Sequence, residues 1–290
     1  DIDYKANEKG SIVCFVQEGE LWSYDENNNK LSKVFSFRGF EGIDARENYN
    51  QHDIKIISID ETGSINFAVY GYMNRGIHEG EVGISIYHYD SVANTVEEEV
   101  FIPSDQSYQV MKSNIGQLIF ENEDQKLYIM MEGTVYEINL LTREVKELVA
   151  DLQEDSYAIS DTDEYIAYID GNDNNAATRL HVLDFSNGSD YIIEAGEGEC
   201  IRPLGFMQGD FIYGLARTTE ITTDAAGKTT FPMYKVCIVD MGDSSHPVLK
   251  EYQKDGYFVA DIRISDYTIY LDRLKFNGTA YVQTDADTIM

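Results

Sequence analysis

Almost the whole chain is written in short alternations of apolar and polar residues, rich in Val, Ile, Tyr and Phe and broken by Asn, Asp and Gly. A period of two puts successive side chains on opposite faces of a strand, whereas a helix needs apolar positions three and four apart. The pattern therefore predicts an all-β protein. One stretch, INLLTREVKELVADL at 138–152, carries helix formers and leaves a helix as an alternative there. Its first residues nevertheless continue the strand TVYEIN, and after Leu-Thr-Arg the segment EVKELV resumes the alternation.

Aligned against itself, the chain repeats. LWSYD (21–25), IYHYD (86–90), VYEIN (135–139), LHVLD (180–184) and VCIVD (236–240) are each an alternating strand ending in an apolar residue and then Asp or Asn. A short polar turn and a further strand follow every copy, and the Asp or Asn has a local task, because its oxygen accepts backbone N–H groups of the turn. Upstream of each copy lies another apolar strand, SIVCFV, SINFAVYG, KLYIMM, YIAYID and DFIYGLA, and ahead of that a strand ending in a polar corner. The predicted unit is four antiparallel strands, a to d, over residues 1–38, 53–103, 107–150, 156–195 and 200–253, with a sixth, less complete unit at 257–290. Spacings between the terminal Asp/Asn positions are 65, 49, 45 and 56 residues, and Asp285 stands 45 farther on.

A two-layer sandwich uses about seven to nine strands, and roughly twenty-three are counted, so radial repetition in a single-domain β-propeller of six to seven blades is the expected fold. Two stacked sandwiches or a β-solenoid are the alternatives. Ring closure is the open step: either DTIM at the end makes a short closing strand, or further sequence after Met290 supplies the rest.

The repeat resembles that of the TolB-like and WD-related propellers of bacterial envelope proteins. SDTDEYIAYID (160–170) with LHVLDFSNGSDYII (180–193) carries the resemblance most closely, followed by DQKLYIMMEGTVYEINLLTREVKELV (124–149). The repeats lack the Trp-Asp ending of the WD subclass, so the peptide-adaptor role typical of that subclass is not implied. The overall look, acidic, rich in Asn, Asp and Tyr and poor in Pro and Cys, is similar to exported lipoproteins of gut Clostridia. This resemblance implies an extracytoplasmic or cell-surface location, with a lipid anchor in the parent protein.

Composition narrows the partners. Against 52 Asp and Glu stand 22 Lys and Arg, a net charge of -30, and no Lys/Arg run occurs, so nucleic acid is excluded as the expected partner. With 43% hydrophobic and 12% aromatic residues the chain is not disordered. No apolar run is long enough to span a bilayer, and the start DIDYKANEKG has no signal-peptide pattern; an exported parent would already have lost its leader. Of Cys14, Cys200 and Cys237, two sit in apolar alternations and read as small buried hydrophobes.

Candidate chemistry is sparse. Asp170, Asn172 and Asn174 offer oxygens at alternate positions, as a Ca²⁺ loop does, but Asn175 stands where Gly is needed and His181 replaces the distal Glu. A solvated insertion accounts for the segment; no cofactor is expected, and Ca²⁺ is the one ion these residues suggest. The five histidines lack zinc spacing, GDSSH (242–246) reads as a turn, and there is no nucleophile elbow, phosphate loop or C-x-x-C. Glu97, Glu98 and Glu99 open an outer strand, where charge discourages edge pairing.

Loop length is the sharper clue. The b-to-c connection grows at 71–83, 171–179 and 217–233, and in a propeller such loops emerge on one face. Tyr72, Met73, Arg75, His78, Glu79, Arg217, Lys228 and Phe231 are the exposed contact groups expected there, since aromatic residues and Arg carry interface energy. The reading is a non-catalytic extracytoplasmic binding or scaffold propeller, taking a protein, peptide or cell-surface glycan. The alternative is the propeller module of a hydrolase, lyase or peptidase, using axial carboxylates or gating a catalytic domain elsewhere.

Overall fold

A computed structural model describes residues 2–37, 52–74, 76–114 and 117–290. The chain divides into two compact units, Asp1–Leu148 and Val149–Met290.

In the first unit, three antiparallel four-stranded sheets follow one another. The first is β1 (Tyr4–Ala6), β2 (Ile12–Gln17), β3 (Glu20–Asp25) and β4 (Lys30–Ser36), and the second is β5 (His52–Ile59), β6 (Ile65–Tyr72), β7 (Val82–Asp90) and β8 (Thr95–Pro103). A short helix, α1 (Tyr108–Asn114), precedes the third, made of β9 (Ile119–Glu121), β10 (Lys126–Met131), β11 (Thr134–Asn139) and β12 (Val145–Val149). Residues 138–152 thus form strands and a turn, and the helix lies elsewhere. It is held by Met111, which is 2% exposed in the core, and by Tyr108, whose hydroxyl donates to Asp53 at 2.9 Å.

The second unit opens with a 3-10 turn at Glu154–Ser156 and the sheet β13 (Tyr157–Ile159), β14 (Tyr165–Ile169), β15 (Arg179–Asp184) and β16 (Ser189–Glu194). β17 (Glu199–Met207) and β18 (Asp210–Arg217) come next. A two-stranded flap, β19 (Thr222–Thr223) with β20 (Thr229–Thr230), separates β18 from its partner β21 (Met233–Val239), which pairs with β22 (Val248–Gln253). β23 (Phe258–Ser265) and β24 (Thr268–Phe276) carry β25 (Tyr281–Gln283) and β26 (Asp287–Ile289) on one edge, and a single pairing, Met233 with Val259, joins β23 to β21. The segment DTI therefore does form a strand, as the continuation of β25 after a one-residue register slip; both lie against β24.

The period of two explains the core. Along β6, Phe67 and Val69 enter an apolar cluster shared with the first sheet, while Ala68 enters another shared with the third. Along β21, Cys237 joins a cluster with β14 and β15, and Val236 and Ile238 join one with β24. A central strand buried on both faces reads as a nearly continuous apolar run, which is how KVCIVD and INFAVYG look. Each fully buried Phe or Ile contributes about 1.5–3 kcal/mol.

The Asp or Asn that ends the third strand of each of the first five units does what its position predicts, Asp25 and Asp184 among them. Asp90 Oδ1 accepts Val92 and Ala93 N–H groups at 2.8 and 2.9 Å, Asn139 Oδ1 those of Leu141 and Thr142, and Asp240 Oδ1 those of Gly242 and Asp243. These bonds favour the ionised form: they hold the Asp90 carboxyl below its ordinary range, and at Asp25 the Asn28 side-chain amide does the same. A second device repeats in four of the units. At the a-to-b corner, Asn7, Asp60, Asn122 and Ser160 each accept the N–H of a residue four or five positions on.

Candidate functional site

The 71–83 connection lies in the first unit and is tied to its own sheet. His78 stacks on Phe101 with ring centroids 3.8 Å apart, its Nε2 is 3.0 Å from Glu98 and its Nδ1 3.3 Å from Glu81. Gly83 permits that packing, since a Cβ there would collide with the Phe101 ring and the Ile102 carbonyl. Met73, expected to be exposed, is 2% exposed and belongs to the core shared by the first two sheets, because the pairing with Glu81 carries the apolar alternation one residue past Tyr72. Tyr72 is half-buried and Glu79 exposed; Arg75 lies outside the described residues. The glutamate triplet is engaged as well: Arg143 Nε is 2.6 Å from Glu99 and its NH2 3.6 Å from Glu97, and Tyr87 donates to Glu98. Edge protection by bare charge is therefore an incomplete account of it.

In the second unit the other two long connections converge on Arg202 of β17, a residue outside both loops. Its Nε donates to the Asn174 carbonyl at 3.0 Å, its NH2 donates to Asn175 Oδ1, and its guanidinium lies 3.9 Å from the centroid of Phe231. Asn174 and Asn175 come from the β14–β15 connection and Phe231 from the segment between β20 and β21. Phe231, expected as an exposed anchor, is 3% exposed and forms the floor beneath the arginine. Burial pulls the Arg202 pKa down, against the pull of Asp155, Asp261 and Asp173.

Two adjoining clefts meet at Arg202. One, of about 520 Å³, is walled by Glu154, Asp155, Tyr157, Asn174 and Asp261. The other, of about 420 Å³, takes in Lys228, Phe231, Asp272, Arg273 and Tyr281. Three first strands or their lead-ins supply the lining, β13, β17 and β23, so the base is rigid while the two connections form the rim. None of the four carboxylates makes an ion pair among the described residues, and neither does Lys228 Nζ. The arrangement offers charged and hydrogen-bonding groups of both signs around an aromatic floor, which suits a polar ligand held by several directed contacts.

Arg217 is exposed at the end of β18, with its NH1 3.1 Å from Glu220 and its guanidinium 4.1 Å from the Tyr234 centroid. Tyr234 donates to Glu199, and burial followed by that carboxylate pushes its phenol up to about 12. Asp170 faces Arg179 NH1 at 3.7 Å and Asn172 is exposed, while the Asn174 carbonyl is taken by Arg202. Among the described residues, no group of three or more His, Cys, Asp and Glu side chains is placed to hold a metal, and no helix is long and apolar enough to cross a membrane. Arg202 could have been singled out from the sequence: it is the one cation in the apolar run ECIRPLGFM, beside a Pro that only an edge strand tolerates.

No protein family and no curated protein matches the sequence. Among solved structures the chain is similar to the tricorn protease, at 13% identity and a TM-score of 0.39 over 95% of this chain and 27% of that one. It is similar to Porphyromonas gingivalis dipeptidyl peptidase 4 at 9% identity and a TM-score of 0.36, covering 97% of this chain and 52% of that one. A chain of the mitotic checkpoint complex gives 9%, 0.37, 95% and 76% in the same terms. This chain thus spans about a quarter and about half of the first two. The described residues form an all-β protein built from several four-stranded antiparallel sheets.

Proposed function

We propose that this chain is a non-catalytic binding scaffold acting outside the cytoplasm, and that its second unit takes a peptide, glycan or protein segment in the cleft at Arg202. The carrying observation is the treatment of that arginine: two loop groups and an aromatic face orient it, half-buried, between carboxylates that make no ion pair among the described residues. Holding a charged side chain out of water costs free energy that surface decoration does not require. Arg217 and Lys228 are proposed as outer contacts of this site. Tyr72, Arg75, His78 and Glu79 are proposed as a separate contact surface of the first unit. On the strength of the sequence repeat and of the strand order within each sheet, we further read the units as blades of a TolB-like or WD-related propeller of six to seven blades.

Hydrogen–deuterium exchange in the presence of short peptides and cell-wall glycan fragments tests the site. The expected result is slowed exchange confined to 170–178, 199–204 and 218–232 for at least one ligand. Slowing elsewhere, with these segments unchanged, contradicts the assignment.

A further inference from the structure

On a chain of net charge -30, like charges of the rarer sign have little reason to gather. Yet three cations surround a single ring in the second unit. Lys254 Nζ lies 4.9 Å, the Arg273 guanidinium 4.3 Å and Lys275 Nζ 4.2 Å from the centroid of Tyr257. Strand geometry brings them there: Arg273 and Lys275 are two apart on β24 and share a face, and the β23–β24 register puts Tyr257 opposite Lys275. Lys254 is four residues before Phe258, in a turn closed by the Tyr257 N–H donating to its carbonyl at 3.0 Å.

The cluster is layered. Arg273 is 6% exposed and forms the base, where Asp285 O accepts from its Nε at 2.7 Å, and Tyr252 Oη and Asp287 Oδ2 stand 3.2 and 3.0 Å from its NH1. Among the described residues, Asp287 is the one acidic side chain in ion-pair range of the three cations, and it reaches Lys254 only at 3.9 Å. Lys275 has no carboxylate partner among the described residues; it hydrogen-bonds the Tyr257 phenol, which holds that hydroxyl below its ordinary pKa. Three positive charges face one negative charge, so the group is left with an uncompensated excess at its exposed rim.

We propose that this cluster is a binding site for a small tetrahedral dianion, a phosphate or sulfate, free or as a monoester, held by Lys254 and Lys275 over the buried Arg273 with the Tyr257 hydroxyl as a further donor. The net charge of the chain selects for size. At 0.1 M salt, charges more than about 10 Å away are largely screened. A compact dianion therefore feels the local cations, whereas a long polyanion also meets the acidic surface around them.

The test is a titration of the protein with inorganic phosphate, methyl phosphate and, at matched ionic strength, chloride, followed by NMR. Saturable shifts confined to 254–257 and 273–275 with either phosphate, and none with chloride, are expected; tighter binding of methyl phosphate assigns the site to an ester, tighter binding of inorganic phosphate to the free ion. The double variant K254M/K275M alters only exposed side chains and is expected to bind about tenfold more weakly at an unchanged melting temperature, because both rim cations are removed while Arg273 and its hydrogen bonds stay. K9M, in the first unit, is expected to bind as the parent does. Absence of saturable shifts in the parent protein, equal shifts with chloride, or undiminished binding by the double variant overturns the proposal.

Discussion

At the scale of single residues the fold is held by side chains that serve backbone groups. Asn139 accepts two turn N–H groups. Asn139→Ala leaves both to water and is expected to lower stability by about 1 kcal/mol, with Asn139→Asp close to neutral, measured by urea denaturation. His52 shows the opposite case. Its Nδ1 is buried with no hydrogen-bond partner among the described residues, its ring lies 4.1 Å from that of Phe37, and burial pushes its pKa down. A depressed histidine pKa means that the folded state resists the proton. The stability it contributes is complete above the unfolded value of about 6.5 and is lost as pH falls from there toward the folded value. His52→Leu is therefore expected to flatten the fall in melting temperature between about pH 7 and pH 5; an unchanged slope contradicts this reading.

Single residues also show where sequence pattern runs out. The Asp and Asn that close the third strands were legible because their task is local, within three residues of themselves. Met73 and Phe231 were misplaced because exposure at a loop depends on what the loop folds onto, and both turn inward onto strands far away in sequence. Arg202 was overlooked for the same reason: its partners are 27 and 28 residues distant.

At the scale of elements, the four-strand unit was legible because a period of two is repeated with turn residues at fixed places, and the sheets follow it. The helix α1 was not, since seven residues give barely two turns and its formation rests on Met111 and Tyr108 packing. The end of the chain is an element with its own fastening. Arg273 bonds the Asp285 carbonyl inside the register slip between β25 and β26, and with Tyr252 grips Asp287. Arg273→Ala removes the bond to Asp285 and the charge-assisted bond to Asp287, leaving Asp287 to Tyr252 and the Thr288 N–H, and is expected to cost about 1.5–3 kcal/mol, with exchange of 281–289 accelerated before the rest of the sheet. The hydrogen bond from Tyr252, then that from the Thr288 N–H and the Arg273 charge, depress the Asp287 pKa. Its contribution is accordingly present above the unfolded value of about 3.9 and disappears as pH falls through the lower folded value. Tyr252→Phe should move that loss to higher pH, as read by the acid transition of 281–289.

At the scale of the whole molecule, the charge of -30 is spread over turns and outer strands with no separate acidic tail. Self-repulsion then opposes folding at low ionic strength, and raising NaCl from about 10 to about 150 mM is expected to raise the melting temperature. A fall would mean that attractive pairs such as Arg143 with Glu99 outweigh repulsion. The same acidity makes the few cations informative, because those drawn into clusters, Arg202 beneath two loops and the three around Tyr257, are placed against the general field.

The central claim is that the second unit binds through Arg202. Its most direct measurement is calorimetric titration of the parent protein and of Arg202→Ala with a peptide or glycan fragment that slows exchange at the cleft. Removing a half-buried, hydrogen-bonded hot-spot arginine should cost about 2 kcal/mol or more, a loss of at least about thirtyfold in affinity, while Arg217→Ala at the rim costs less than about 1 kcal/mol. Equal affinities for parent and Arg202→Ala, with both proteins folded, would contradict it.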